Sequence, residues 1–335
     1  MLYIHIGTQK TGSSSIQHVL HMNEPALKKH GYTYLRTGRK ESNGLRIHHN
    51  PIAAALLAND SAPLQRKLHK EITRKRTGTA ILSGELLSRP KVAAKLRRFL
   101  PPSIADQIKI IIYLRRPDLY VESLFKQRLK ADDTRQDALQ FLRNTRDGLM
   151  HEKIIDEYAK HFGSENIIIR PYDRAHLVNE NAVDDFLHVI GMPDTTNIIR
   201  PAHNANTSFS LAFSQMSGYA VRHLGLKAPA ITRAVQAQNP DGIFRSRDVY
   251  KLRRRRNIVS YHNDTIEKIR SVYRPDLDQL FDTSDLAAGA DDPFPTSAEQ
   301  ITLMQDAAQA MMQIIPHLSP PSKKSARTKL RLPRL

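Results

Sequence analysis

MLYIHIGTQKTGSSSIQHVL, residues Met1–Leu20, decides how the chain is read. An apolar run, Leu2–Ile6, breaks into a turn of glycine, lysine and hydroxyl residues, and a helix-like run follows. A strand that turns through Gly7-Thr8-Gln9-Lys10-Thr11-Gly12-Ser13-Ser14-Ser15 into a helix places main-chain N–H groups at a helix start, where the dipole attracts an anion. Gly7 and Gly12 permit tight turns and close approach, and Ser13 and Ser14 add hydroxyls. The ATP-binding pattern G-x-x-x-x-G-K-[ST] shares the glycine frame, but Ser13 occupies its lysine position and the lysine, Lys10, comes before the second glycine. The plainer reading is a helix merely capped by Ser13.

Working outward, short apolar runs recur at Tyr32–Leu35, Thr79–Leu82, Ile108–Leu114 and Asn166–Tyr172. They do not alternate, as expected of strands buried on both faces of a parallel sheet. Between them, Gly12–His30, Leu64–Arg74, Lys91–Phe99, Leu119–Ala131 and Met150–Phe162 carry helical patterns long enough for crossovers. The expected fold is α/β: a doubly wound, mainly parallel five-stranded sheet flanked by helices. Beyond Pro201 the strand signals stop. Ser208–Leu224, Val249–Tyr273 and Thr296–Ile315 read as helices, and Asp276–Asp292 as an acidic loop whose Asp291 and Asp292 face solvent. No linker divides the chain, so residues 1–318 read as one domain, with 201–318 its helical part. Residues 319–335 follow a Pro-Pro-Ser step and read as a flexible basic tail.

The bulk numbers bound the chemistry. A chain of 335 residues with 40% hydrophobic residues buries a sizeable core. There is no cysteine, which excludes disulfides, thiol chemistry and Cys-ligated metal. Met1 leads at once into a strand and no run approaches the ~20 apolar residues of a membrane span, so a soluble, cytoplasmic protein without signal peptide is expected. A net charge of +18 points to anionic partners.

The stretch Lys10–Gln17, KTGSSSIQ, resembles the 5′-phosphosulfate loop of sulfotransferases that use 3′-phosphoadenosine 5′-phosphosulfate (PAPS). The resemblance implies a P-loop-like fold, a donor held by Lys10, Thr11, Gly12, Ser13 and Ser14, and Lys10 as the cation that stabilises the leaving phosphate. A second motif of the family, an Arg with a Ser eight residues on, grips the donor's 3′-phosphate. It is matched by Arg115-Arg116-Pro117 through Ser123, directly after the strongest strand. Arg115 then leaves the carboxyl edge of a strand, where ligands of open α/β sheets bind, and Ser123 stands about two turns along the next helix. HFGSENIIIRPYDRAHL and DDFLHVIG are similar to a later segment of bacterial carbohydrate-type sulfotransferases, extending the resemblance over about residues 1–280. Asn204 and Ser208 stand where the donor site could close.

Sulfuryl transfer needs a base for the acceptor hydroxyl and a cation for the leaving group. Family members place a Glu or His just beyond the third strand, which implies Glu85 as base; His48 and His49 are the runners-up. No metal is required, and no H-E-x-x-H or carboxylate cluster stands at ligand spacing. The resemblance favours a carbohydrate hydroxyl as acceptor. Two basic runs, Lys70–Arg76 and Arg245–Arg256, read either as solvated surface or as the wall of a cleft for an acidic chain; the four arginines 253–256 point in nearly all directions on a helix. Two alternatives stay open: a nucleotide kinase or NTPase with a degenerate loop, and a basic nucleic-acid-binding protein without a reader motif.

Overall fold

The computed structural model describes residues 1–42, 45–74, 78–200 and 208–318, with the side chains of 40–46 and 74 left aside. The basic tail, Asn204 and the end of the run Lys70–Arg76 lie outside the described residues. The chain forms two compact units.

The first unit takes residues 1–117, 147–206 and 259–284. Its strands are β1 (Leu2–His5), β2 (Tyr32–Tyr34), β3 (Lys40–Ser42), β4 (Leu45–His48), β5 (Thr79–Ser83), β6 (Ile108–Leu114) and β7 (Ile167–Pro171). Five of them form a parallel sheet in the order β2-β5-β1-β6-β7, the expected α/β architecture. β1 is central, with Leu2 opposite Ala80 of β5 and Ile108 of β6. Because successive side chains alternate, β1, β5, β6 and β7 each feed two cores. Leu2, Ile4, Ile110, Ile112 and Ile169 join one apolar cluster, while Ile81, Ile111 and Tyr113 join another. That double burial is why the runs read as unbroken apolar sequence.

Three expectations need correction. The helix expected over Gly12–His30 is two, Ser13–Met22 and Glu24–Lys29. Pro25 cannot donate to a continuing ladder, and the Asn23 amide donates to the carbonyls of Val19 and Ile199 while its oxygen accepts from the Ile199 amide. The stretch Val249–Tyr273 starts its helix only at Leu252 and breaks at His262 into Leu252–Tyr261 and Asn263–Tyr273. Between β2 and β5 a small antiparallel hairpin, β3–β4, is added.

The second unit takes residues 118–146, 207–258 and 285–335. Apart from an isolated bridge between Phe209 and Phe244, its described residues form helices and loops. The helices Leu211–His223, Ala228–Gln238 and Ser297–Ile314 pack around Phe213, Ile231, Ile243 and Ile314. The basic run of this unit is not all surface. Arg255 is fully buried and donates to Asp118 Oδ2 at 2.7 Å, to Glu122 Oε2 at 2.6 Å and to the Tyr250 carbonyl at 3.2 Å. Glu122 also accepts from the Arg247 amide and pairs with Lys126, which in turn pairs with buried Asp248. A formally basic helix face thus carries one arginine of its four inward into a five-member buried ion network. Asp292, expected in solvent, is exposed yet accepts from the amides of Leu252 and Phe294.

Candidate functional site

In a parallel sheet all carboxyl ends lie along one edge, and a change of direction beside a central strand opens a crevice there. Here that strand is β1, flanked by β5 and β6. The three loops leaving these strands carry Lys10, Glu85 and Arg115, so the residues singled out from three distant stretches meet at one edge.

The loop after β1 is fastened on both sides. The Thr8 hydroxyl donates to the Tyr113 carbonyl of β6 at 2.7 Å, and Gly84 N–H donates to the His5 carbonyl at 3.0 Å. The Thr11 hydroxyl donates to the Thr8 carbonyl at 2.7 Å, and Ser13 Oγ donates to the same carbonyl at 3.3 Å. Both hydroxyls staple the loop to itself, while Ser14 stands exposed at the helix start. Lys10 has a positive φ of 63°, an unusual conformation for a residue with a side chain. Gly12 has φ 76°, and a Cβ there would lie 3.0 Å from Ala182 Cβ and 3.1 Å from the Tyr172 ring. Gly12 is also the N-cap of the helix Ser13–Met22, and no side chain caps that helix. Ser13 therefore does not cap the helix: its hydroxyl donates to the Thr8 carbonyl, and the amides of Ser15 and Ile16 donate to the Gly12 carbonyl.

Arg115 joins the second loop to the first. Its Nη1 donates to the Lys10 carbonyl at 3.1 Å, and its guanidinium lies 5.7 Å from the centre of the Tyr172 ring. Tyr172 had not been singled out; it ends the β7 stretch, one strand beyond β6, and that position along the edge was its signal. Ser123 is buried on the helix Pro117–Lys130, in the part belonging to the second unit. Ser208 is half-buried, also in the second unit.

Glu85 opens a single 3₁₀ turn after β5 and is half-buried. Burial raises its pKa, and the Lys10 ammonium partly offsets the rise. His49 is fully buried, with Nε2 2.8 Å from the Leu35 carbonyl and Nδ1 3.0 Å from the Ser83 carbonyl; burial pushes its pKa down to about 4. Both ring nitrogens are engaged with main chain, which ties the ring between β5 and the residue that follows β2. His48 is half-buried at the end of β4.

Beneath the loop lies a polar bridge that the sequence did not disclose. His5 Nδ1 is 2.8 Å from Ser83 Oγ, which also accepts from Gln17 Nε2 at 3.1 Å. It ties β1, β5 and the loop helix together one residue below Gly84 and Glu85. Burial pushes the His5 pKa down to about 3, so the ring is neutral. Among the described residues no three His, Asp or Glu side chains gather as a metal site, and no helix is long and apolar enough to cross a membrane.

No family model matches the chain. An uncharacterized protein of Archaeoglobus fulgidus is 35% identical over 104 residues, 29% of this chain and 25% of that protein. The chain thus spans about a quarter of the length of the curated relative it matches. A solved structure of retinol dehydratase in complex with androsterone and the inactive cofactor PAP aligns over 96% of this chain and 82% of its own, at 11% identity and a TM-score of 0.26. Likeness at that level carries no argument about fold or function.

Proposed function

We infer that this chain is a sulfotransferase that moves a sulfonate group from PAPS to a hydroxyl, with a carbohydrate as the acceptor class. The observation that carries this reading is the hydrogen bond from Arg115 to the Lys10 carbonyl. Two motifs read independently, one for each phosphate end of the donor, meet at neighbouring strand ends. In this reading the first amides of the helix Ser13–Met22 and Lys10 hold the 5′-phosphosulfate, and Arg115 and Ser123 hold the 3′-phosphate. Glu85 takes the acceptor proton as the hydroxyl oxygen attacks sulfur, the S–O bond to the 5′-phosphate breaks, and Lys10 stabilises the charge left there. The products are a sulfate ester and 3′-phosphoadenosine 5′-phosphate. The donor is consumed in this step, and the chain's own residues supply the proton transfer and the charge stabilisation.

The test is a thermal-shift titration without magnesium. 3′-Phosphoadenosine 5′-phosphate should raise the melting temperature, by the equivalent of about 2.7 kcal/mol at a hundredfold excess over Kd, and ATP by much less. Equal stabilisation by ATP with magnesium would overturn the reading in favour of a nucleotide kinase. In the same assay Arg115→Ala and Ser123→Ala should each weaken the nucleotide about tenfold or more, as expected for the loss of a hydrogen bond to a charged group. Unchanged affinity in both would displace the 3′-phosphate from this edge.

Glu85→Gln should lower kcat about 10²–10⁴-fold while nucleotide affinity holds. The wild-type rate should fall as pH drops through the Glu85 pKa, which burial raises. The sign for stability is opposite. A carboxyl whose pKa is raised in the folded state binds more protons there than in the unfolded chain, so stability falls as pH rises through that window. Glu85→Gln should therefore melt higher than wild type at neutral pH, and a lower melting point would contradict the burial assigned to Glu85.

A further inference from the structure

We propose that the second unit carries a binding groove for an acidic sugar chain, built on Lys251, Arg253 and Arg254. The groove has a volume of about 650 Å³ and is lined by these three side chains together with Leu139, Tyr250 and Phe294. All three cations are exposed. In the same unit Arg128, Arg135, Arg222, Arg245, Arg247 and Arg255 each meet a carboxylate. Among the described residues Lys251, Arg253 and Arg254 meet none. Asp248, the carboxylate nearest in sequence, is buried and pairs with Lys126, and Asp292 is turned onto the amides of Leu252 and Phe294, where it fixes the groove wall instead of neutralising it. The opposite wall is held by the Tyr250 hydroxyl, which donates to the Ala138 carbonyl at 2.8 Å. The groove is therefore preformed and its positive charge uncompensated. Arg253 and Arg254 also stand in the first turn of the helix Leu252–Tyr261, which has no acidic residue there. Cations at that end oppose the helix dipole, a local rule broken in the way binding surfaces break it.

The chemistry selects the occupant. Two guanidiniums and an ammonium suit carboxylate or sulfate groups spaced along a chain. The volume matches a cleft that swallows a chain end. A duplex needs a far wider face. A single strand wants successive aromatic platforms, whereas the Phe294 ring already has the Lys251 ammonium 5.7 Å from its centre. A membrane surface wants exposed apolar side chains, and in the lining only Leu139 is a large exposed one. A sugar chain bearing uronates fits charge, width and the sparse apolar wall together. That this chain is also the acceptor rests on the reading above; binding itself does not.

The experiment measures binding without donor. The probe is a labelled hexasaccharide of alternating uronate and N-acetylhexosamine, compared at fixed salt with a neutral glucose hexasaccharide, an oligothymidylate of matched charge and phosphatidylglycerol vesicles. The uronate probe should bind best, and R253A/R254A should weaken it about tenfold or more while the melting shift with 3′-phosphoadenosine 5′-phosphate is kept. Absence of binding, equal affinity in the variant, or equal or tighter binding of oligothymidylate or vesicles would overturn the proposal. A nucleotide shift without uronate binding removes the groove and leaves the donor site. Uronate binding without a nucleotide shift does the reverse.

Discussion

Lys10→Ala should reduce sulfonate transfer about 10²–10³-fold in kcat, the range for removing one preorganised partner of a developing negative charge. The backbone is not the reason. Alanine and lysine meet the same steric objection at φ 63°, and the Lys10 carbonyl that accepts from Arg115 survives the substitution. What is lost is the ammonium, and the loss has a second signature. Lys10 holds down the pKa of Glu85, so in the variant the acidic limb of the rate profile should move to higher pH. The two effects are read together from a pH series of kcat. A variant within threefold of wild type, or an unmoved limb, would remove Lys10 from the chemistry.

Arg255→Ala should destabilise the protein by about 3–5 kcal/mol, seen as a lowered denaturant midpoint, because it strands the buried carboxylates of Asp118 and Glu122. The loss of packing alone would be smaller. The distinction is testable by removing the charges as a set. Asp118→Asn and Glu122→Gln combined with Arg255→Met should recover most of the midpoint, since replacing a whole buried ion group by neutral residues of similar volume is often close to neutral. The glutamine at 122 gives up the ion pair with Lys126, so some of the deficit should remain. A single Arg255→Ala midpoint close to wild type would mean that the network contributes little.

The fold was legible where burial is two-sided. β1, β5, β6 and β7 each face two cores, so their apolar runs are unbroken and need no alternation to be found. The hairpin β3–β4 was not, because its strands are three and four residues long and β3 is polar. The split at Asn23 was half-visible: Pro25 announces it, but the grip of Asn23 on Ile199 joins residues 176 apart. At the candidate site, Lys10 and Arg115 were found because each sits within a short contiguous pattern. Tyr172 was missed because its relation to Arg115 passes through strand order, which no local window holds. Arg255 was missed for the same reason; Asp118 stands 137 residues away and nothing in LRRRR marks which arginine turns inward. The histidine pair shows the limit most simply. Nothing in RIHHNP distinguishes His49, locked between Leu35 and Ser83, from its neighbour.

The contact between Arg115 and the Lys10 carbonyl spans 105 residues of chain, and Glu85 reaches the same edge by way of β5, beside β1. No short stretch of the polypeptide holds the three together. The three side chains come together only when β5, β1 and β6 have zipped in register, late in any ordering that begins with local helices. If the proposed donor site is right, regain of nucleotide binding during refolding should track the assembly of the central sheet.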